Sequence, residues 1–269
     1  MKNKKSYIWN FMKTNKRILI LAAFMWSVVL LSSVLISCKT AVLSSSTAVS
    51  LIVDDSLGVD SSIVETIAPY RKQLDSSMKE VIGYSETMLE KGMPESLLGN
   101  FLSDLLIERV KSIYIDSMRS LPVMSLLNNG GLRSSLPRGE IMIENVFQLM
   151  PFDNEIVIIE LKGSVLMKLF DIIAQKGGMP VGGLRLVLNA TSWTNAEIEG
   201  QVVDAEKNYI LITSDYLATG GDGLSFLSDN VRYVQTGLLM RDVFISGIRD
   251  LTAQKKTINP KTDGRIRYE

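Results

Sequence analysis

NNGGLRSSLPRGEIMIENVFQLMPFDNEIVIIELKGSVLMKLFD, residues 128–171, changes its hydrophobic rhythm several times, and each change marks an element. An apolar run from Pro122 to Leu127 leads into it and stops at Asn128-Asn129-Gly130-Gly131, the pattern of a buried strand entering a turn. Glu144–Leu149 supplies one or two helical turns before Pro151, and Glu155–Leu161 reads as a strand. Gly163-Ser164 then opens a helix that runs to about Lys176. Strands and helices mixed at this density predict an α+β (mixed α/β) class.

Outward from this stretch the alternation continues irregularly. Leu184–Leu188 and Ile210–Ser214 read as strands, and an amphipathic helix is expected over Gly237–Leu251. Upstream, Ser62 and Glu65 have the spacing of a capping box. Behind it Ile63, Ile67, Tyr70, Leu74, Met78 and Val81 recur at helical spacing, which predicts one buried face. A second helix is expected over Ser96–Met118, with Leu98, Phe101, Leu102, Leu105 and Leu106 inward. The sequence has no internal repeat and no glycine-rich strand-to-helix fingerprint of a dinucleotide fold.

The first 37 residues have a different character. Lys2, Lys4, Lys5, Lys13, Lys16 and Arg17 precede an apolar run from Ile18 to Ile36. Two readings fit: an export signal, or an uncleaved membrane anchor close to the ~20 residues that span a bilayer. The tetrad Leu35-Ile36-Ser37-Cys38 resembles the bacterial lipobox, and Cys38 is the only cysteine of the 269 residues. Residues 1–37 are therefore expected to be a lipoprotein signal peptide, Cys38 the lipidated residue, and residues 38–59 a Ser/Thr-rich tether with room for a short strand at Val49–Val53. The domain is expected over residues 60–269, outside the cytoplasmic membrane, facing the periplasm or the cell exterior, because the lysines stay inside. Without residues 1–37, 23 basic residues face 29 acidic ones, a net charge of −6, which argues against a nucleic-acid partner.

The chemistry concentrates in KNYILITSDYLATGGDGLSF, Lys207–Phe226. A strand ends in an aromatic, Tyr216, followed by a turn in which Gly220, Gly221 and Gly223 surround one carboxylate, Asp222. Glycines there permit positive φ and close approach of a ligand. A ring that stacks on a base beside a carboxylate that accepts from ribose hydroxyls is a nucleoside-binding layout; an ordinary hairpin turn is the plainer alternative.

Four segments, LLGNFLSD (97–104), NNGGLR (128–133), LMPFDN (149–154) and DYLATGGDG (215–223), stand in an order that resembles the C-terminal domain of the 5′-nucleotidase and UDP-sugar hydrolase family. The resemblance covers about residues 60–255 and implies a single domain of mixed sheets covered by helices. It implies Phe152 and Tyr216 as aromatic walls around the base, Asp222 on the ribose, Arg133 on the phosphate side, and Asn128 and Asn154 bonding the nucleoside. Val181-Gly182-Gly183 is expected to approach the base with its backbone.

Two departures matter. Where the family often carries another phosphate-side arginine, six residues before Asn100, this chain has Pro94. Relatives also have an N-terminal metallophosphatase domain whose two metals are held by histidines and aspartates, and this sequence contains no histidine. No catalytic residue, metal ligand or cofactor is therefore expected in this chain, nor room for a catalytic domain before residue 60. Divalent metals are expected in a separately encoded metallophosphatase partner. The rival expectation is a non-catalytic nucleoside- or nucleotide-binding lipoprotein.

Overall fold

The structure is a computed structural model that describes residues 16, 18, 20–31, 58–114 and 120–269. Cys38, the cleavage boundary and the Val49–Val53 strand expectation lie outside the described residues. Residues 20–31 are helical, and among the described residues no helix is long and apolar enough to cross a membrane. Asp60–Glu269 forms one compact unit.

That unit is built on a five-stranded sheet. Its core is β4 (Glu155–Lys162) paired antiparallel with β9 (Asn208–Ser214), from Ile156↔Ser214 to Lys162↔Asn208. β2 (Val123–Leu126) runs parallel to β9, in register from Val123↔Ile210 to Ser125↔Ile212. β10 (Arg232–Leu239) and β5 (Val181–Gly182) close the two edges, giving the order β10-β4-β9-β2-β5. A four-stranded sheet contains β6 (Leu184–Asn189), β7 (Ser192–Ile198), β8 (Gln201–Val202) and β11 (Ile266–Tyr268), in the order β11-β6-β7-β8. A separate ribbon pairs β1 (Val81–Ser85) with β3 (Gly139–Met142).

The alternation of side chains along β4 and β9 divides the interior in two. Ile156, Ile158, Ile210 and Ile212 face a core filled from α2 (Leu97–Tyr114) by Leu98, Leu102, Leu105 and Leu106, and from α6 (Met240–Ala253) by Val243, Phe244 and Ile248. The short α3 (Ile143–Leu149) adds Val146 and Leu149 to it. Val157, Ile159, Leu161 and Leu211 face a second core filled from α4 (Gly163–Gln175) by Leu166, Leu169, Phe170 and Ile173, and by Leu184, Leu186 and Leu188 of β6. Apolar residues on both faces explain why these strands read as near-continuous hydrophobic runs. Each such side chain contributes about 1.5–3 kcal/mol when fully buried. The observed class is α+β.

Several expectations need correction. α1 (Ser61–Met78) is not opened by a Ser62/Glu65 box: the Asp60 carboxylate accepts from the amides of Ser62 and Ile63 at 2.9 and 3.3 Å, and so takes the capping role. Its apolar stripe is not buried: Ile63, Tyr70 and Leu74 are exposed, and no residue of the helix counts as core. Val81 belongs to β1 rather than to this helix. Phe101 is only partly buried against the first core, and residues 115–119 of the expected second helix lie outside the described residues. The last helix begins at Met240 and not at Gly237, because Gly237, with φ +70°, sits in β10 where the register with β4 shifts between Gln235 and Leu239. A bulge there absorbs the extra residues before the strand pairs once more at Leu239↔Glu155.

Candidate functional site

Three loops meet at one end of the main sheet because of strand direction. β2 and β9 are parallel, so their C-terminal ends point the same way, and the antiparallel β4 starts at that same end. The 128–133 loop follows β2, the 215–223 turn follows β9, and the 150–154 segment leads into β4. Carboxyl ends of adjacent parallel strands are where crevices open in such sheets.

The turn after β9 is held by its own residues. Ser214 Oγ accepts from the amide of Leu217 at 3.2 Å and caps α5 (Asp215–Ala218). Tyr216 Oη donates to Asp222 Oδ1 at 2.9 Å, and the amide of Asp222 donates back to Tyr216 Oη at 3.3 Å. Asp222 adopts a left-handed conformation (φ 55°, ψ 22°), which aspartate tolerates better than most residues. A Cβ placed on Gly221 would lie 2.5 Å from the Tyr216 ring, so the ring rests directly on bare backbone.

The 128–133 loop supplies the second tie. Asn128 Nδ2 donates to Asp222 Oδ2 at 3.0 Å, so both oxygens of this carboxylate are engaged. An ionised carboxylate offers about four lone-pair sites, and the two remaining are free to accept from a ligand. The Asn128 carbonyl accepts from the amide of Gly131 at 3.0 Å, and a Cβ on Gly131 would lie 2.6 Å from Asn128 Oδ1. The glycine therefore makes room for the asparagine side chain.

The Phe152 segment is held from outside. Arg241, in the first turn of α6 and 9% exposed, donates from Nη2 to Asp153 Oδ1 at 2.5 Å and from Nη1 to the Met150 carbonyl at 3.4 Å. Its guanidinium lies 4.2 Å from the centre of the Phe147 ring. The amide of Met240 donates to the Asn154 carbonyl at 2.9 Å. Asp215 Oδ1 then joins two walls, accepting from the amides of Tyr216 at 2.7 Å and Glu155 at 3.2 Å.

The result is a cleft of about 300 Å³ lined by Asn128, Gly130, Gly131, Phe152, Asn154, Tyr216 and Asp222. That lies at the small end of the range for ligand clefts, ~300–1,000 Å³. Phe152 and Tyr216 are 46% and 45% exposed, so both rings keep open faces. Five of the six binding residues expected from sequence share this cleft. Arg133 is not among the lining residues: its amide bonds the Leu149 carbonyl, and Nη1 donates to the carbonyl of Gly130 on the rim, at 3.3 Å. Val181-Gly182-Gly183 approaches β2 instead of the cleft: Cβ atoms on Gly182 and Gly183 would lie 2.7 Å from Ser125 Oγ and 2.4 Å from the Val123 carbonyl. Burial and then the Asp215 and Glu155 carboxylates push the Tyr233 phenol up from its usual value.

Sequence reasoning missed Arg241 and Asp215. A cation in the first turn opposes the helix dipole, so Arg241, between Met240 and Asp242, carried a sign that something other than the helix holds it. Among the described residues, no cluster of three or more His, Cys, Asp or Glu is placed to hold a metal ion. The donor set of a histidine-and-aspartate two-metal centre does not fit this chain.

The profile of the family described as 5′-nucleotidase, C-terminal domain, matches residues 81–229. The mouse protein named 5′-nucleotidase is 25% identical over 246 residues, 81% of this chain and 42% of its own length. Protein UshA of Escherichia coli K12 is 30% identical over 124 residues, 44% of this chain and 22% of its own length. The crystal structure of a 5′-nucleotidase precursor from Thermus thermophilus shares the fold, with a TM-score of 0.63 at 24% identity, over 76% of this chain and 42% of that one. This chain thus spans less than half the length of these relatives.

Proposed function

Because this chain belongs to the 5′-nucleotidase C-terminal domain family, we propose that it is the nucleotide-recognition part of a 5′-nucleotidase-type phosphohydrolase, acting in nucleotide breakdown. Phe152 and Tyr216 stack on the base, Asp222 accepts from the ribose hydroxyls, Asn128 and Asn154 bond the nucleoside, and Arg133 meets the phosphate. Stacking of this kind contributes about 1–3 kcal/mol per base. The observation that carries the reading is that Phe152, Tyr216 and Asp222 line one cleft although 63 residues separate the two rings.

Hydrolysis needs groups this chain lacks. The sequence has no histidine, and a separately encoded metallophosphatase supplies both metals and the attacking hydroxide. The domain is exported and tethered to the cell envelope through a lipid on Cys38. The alternative is a binding lipoprotein without an enzymatic partner.

The test is calorimetric titration of the purified chain with nucleosides and nucleotides, followed by phosphate-release assays alone and with a histidine-bearing phosphoesterase. Binding without turnover alone, and turnover on reconstitution, are expected. Binding with no gain from any such phosphoesterase favours the binding lipoprotein. Metal-dependent phosphate release by the chain alone, free of contaminating enzyme, overturns the proposal. Mass spectrometry of the membrane-extracted protein separates a lipidated Cys38 from an uncleaved chain.

A further inference from the structure

Helix α1 touches α3 yet buries none of its side chains. Of its 18 residues all are exposed except Met78, which is half-buried. The apolar ones are no exception: Ile63 is 58% exposed, Tyr70 74% and Leu74 55%. These residues are also poor at holding a lone helix. Ile63, Val64, Thr66 and Ile67 are β-branched, and Pro69 sits inside the helix, where it removes a backbone donor. In proteins most helical stability comes from the packing of an amphipathic face. A helix of this composition with its face in water is one that a partner completes.

The stripe is narrow and regular. Ile63, Ile67, Tyr70 and Leu74 follow one another at intervals of four, three and four, so Ile63 and Tyr70 are one heptad apart, as are Ile67 and Leu74. That is the seam of two helices packed side by side. Spacing alone does not name the occupant; width and charge do. A helix lying on a bilayer presents a broad apolar face with a basic rim. Here Glu65 and Asp75 balance Arg71 and Lys72, and Glu65, Pro69 and Lys72 fall away from the stripe. Val64, Thr66, Arg71 and Gln73 flank it with a single charge among them. A second copy of the same helix therefore meets apolar residues in the seam and no net repulsion beside it.

We propose that α1 pairs with α1 of a second copy of this chain, through Ile63, Ile67, Tyr70 and Leu74, about a two-fold axis. The seam is short and weak by itself, so the inference rests in part on the envelope-tethered reading of the N-terminus. Chains held on one surface meet at a raised effective concentration.

The test measures the mass of the full chain by sedimentation equilibrium in density-matched detergent, with hydrogen exchange over residues 61–78. Wild type should be a dimer with those amides protected. Leu74→Lys puts a charge into the seam and should raise the dissociation constant about a hundredfold or more. It should also strip the protection from residues 61–78, while unchanged exchange in β4 and β9 shows that the domain is still folded. Lys72→Glu, on the opposite side, should leave the dissociation constant within about twofold of wild type. A wild-type monomer at every concentration overturns the pairing, and mass spectrometry of the same sample, reading the state of Cys38, tells whether the tethered reading has failed with it. A dimer that survives Leu74→Lys is held elsewhere and overturns it too. So does a monomer whose α1 is protected only on adding phosphatidylglycerol vesicles, which assigns the face to the bilayer. Protection only on adding a histidine-bearing phosphoesterase assigns the face to a catalytic partner and likewise overturns it.

Discussion

The two aromatic walls of the cleft are built in opposite ways. Tyr216 lies on Gly221, bonds Asp222 six residues on, and shares one turn with both. Phe152 has no such local support: Arg241, the Met240 amide and Asp215, all distant in sequence, hold its segment. One wall is a local motif and the other is a product of the tertiary fold. A local motif is fragile to single changes inside it, whereas a wall with several outside ties tolerates the loss of one.

The largest effect is therefore expected from Gly221→Ala. The new Cβ would stand 2.5 Å from the Tyr216 ring and 2.6 Å from the Tyr216 carbonyl, so ring and turn must shift together. Stacking, about 1–3 kcal/mol, and part of the bonding to Asp222, about 1.5–3 kcal/mol for a charged acceptor, should both suffer. Calorimetry on a variant with an unchanged unfolding midpoint checks this. Wild-type affinity would mean that the walls do not differ in this way.

Next come the rings themselves. Phe152→Ala and Tyr216→Ala should each cost about 1–3 kcal/mol of binding. Two rings on one base share a partner, so the double variant should lose less than the sum, with a coupling of about 0.5–3 kcal/mol. Strict additivity would mean that the rings do not contact the same ligand group.

The outside ties should give a smaller effect. Asp153 is 74% exposed at its side chain, and an ion pair that open to solvent contributes about 0–1 kcal/mol. Asp153→Ala should leave stability nearly unchanged and weaken nucleoside binding by less than Phe152→Ala does. A loss as large as that of the ring would show that the Arg241 contact alone sets the pose of Phe152.

The same contrast governs what the sequence discloses. Tyr216, the glycines and Asp222 are readable because strand, ring, turn and carboxylate are contiguous, with each residue type matched to a local need. Phe152, Asn128 and Asn154 are readable as members of the site through resemblance, since nothing local says that the ends of β2 and β4 meet the end of β9. Periodicity alone is weaker still. The stripes of α1 and α4 both have helical spacing, yet Leu166, Leu169, Phe170 and Ile173 are core while Ile63, Tyr70 and Leu74 are exposed. Spacing fixes the conformation of a helix and says nothing of what covers it. Edge strand β10 escaped notice for a related reason, since only one of its faces packs and Gly237 interrupts its run.

The smallest expected effect discriminates most finely between the two walls. Tyr216→Phe keeps the stacking face and removes both bonds of Oη, the one donated to Asp222 Oδ1 and the longer one accepted from the Asp222 amide. Asn128 Nδ2 still holds the other oxygen, and Asp222 keeps its left-handed backbone between Gly221 and Gly223. Removing the hydroxyl also frees a lone pair for the ligand. The lost bonds and the freed acceptor act in opposite directions, so the net change in affinity should stay within the scale of a single hydrogen bond, about 0.5–1.5 kcal/mol. Titrating Tyr216→Phe beside Asn128→Ala decides which tie matters. A tenfold loss in the phenylalanine variant, with little change in the alanine variant, would make the tyrosine hydroxyl the element that aims the carboxylate, and the wall would then be more local than even its sequence suggests.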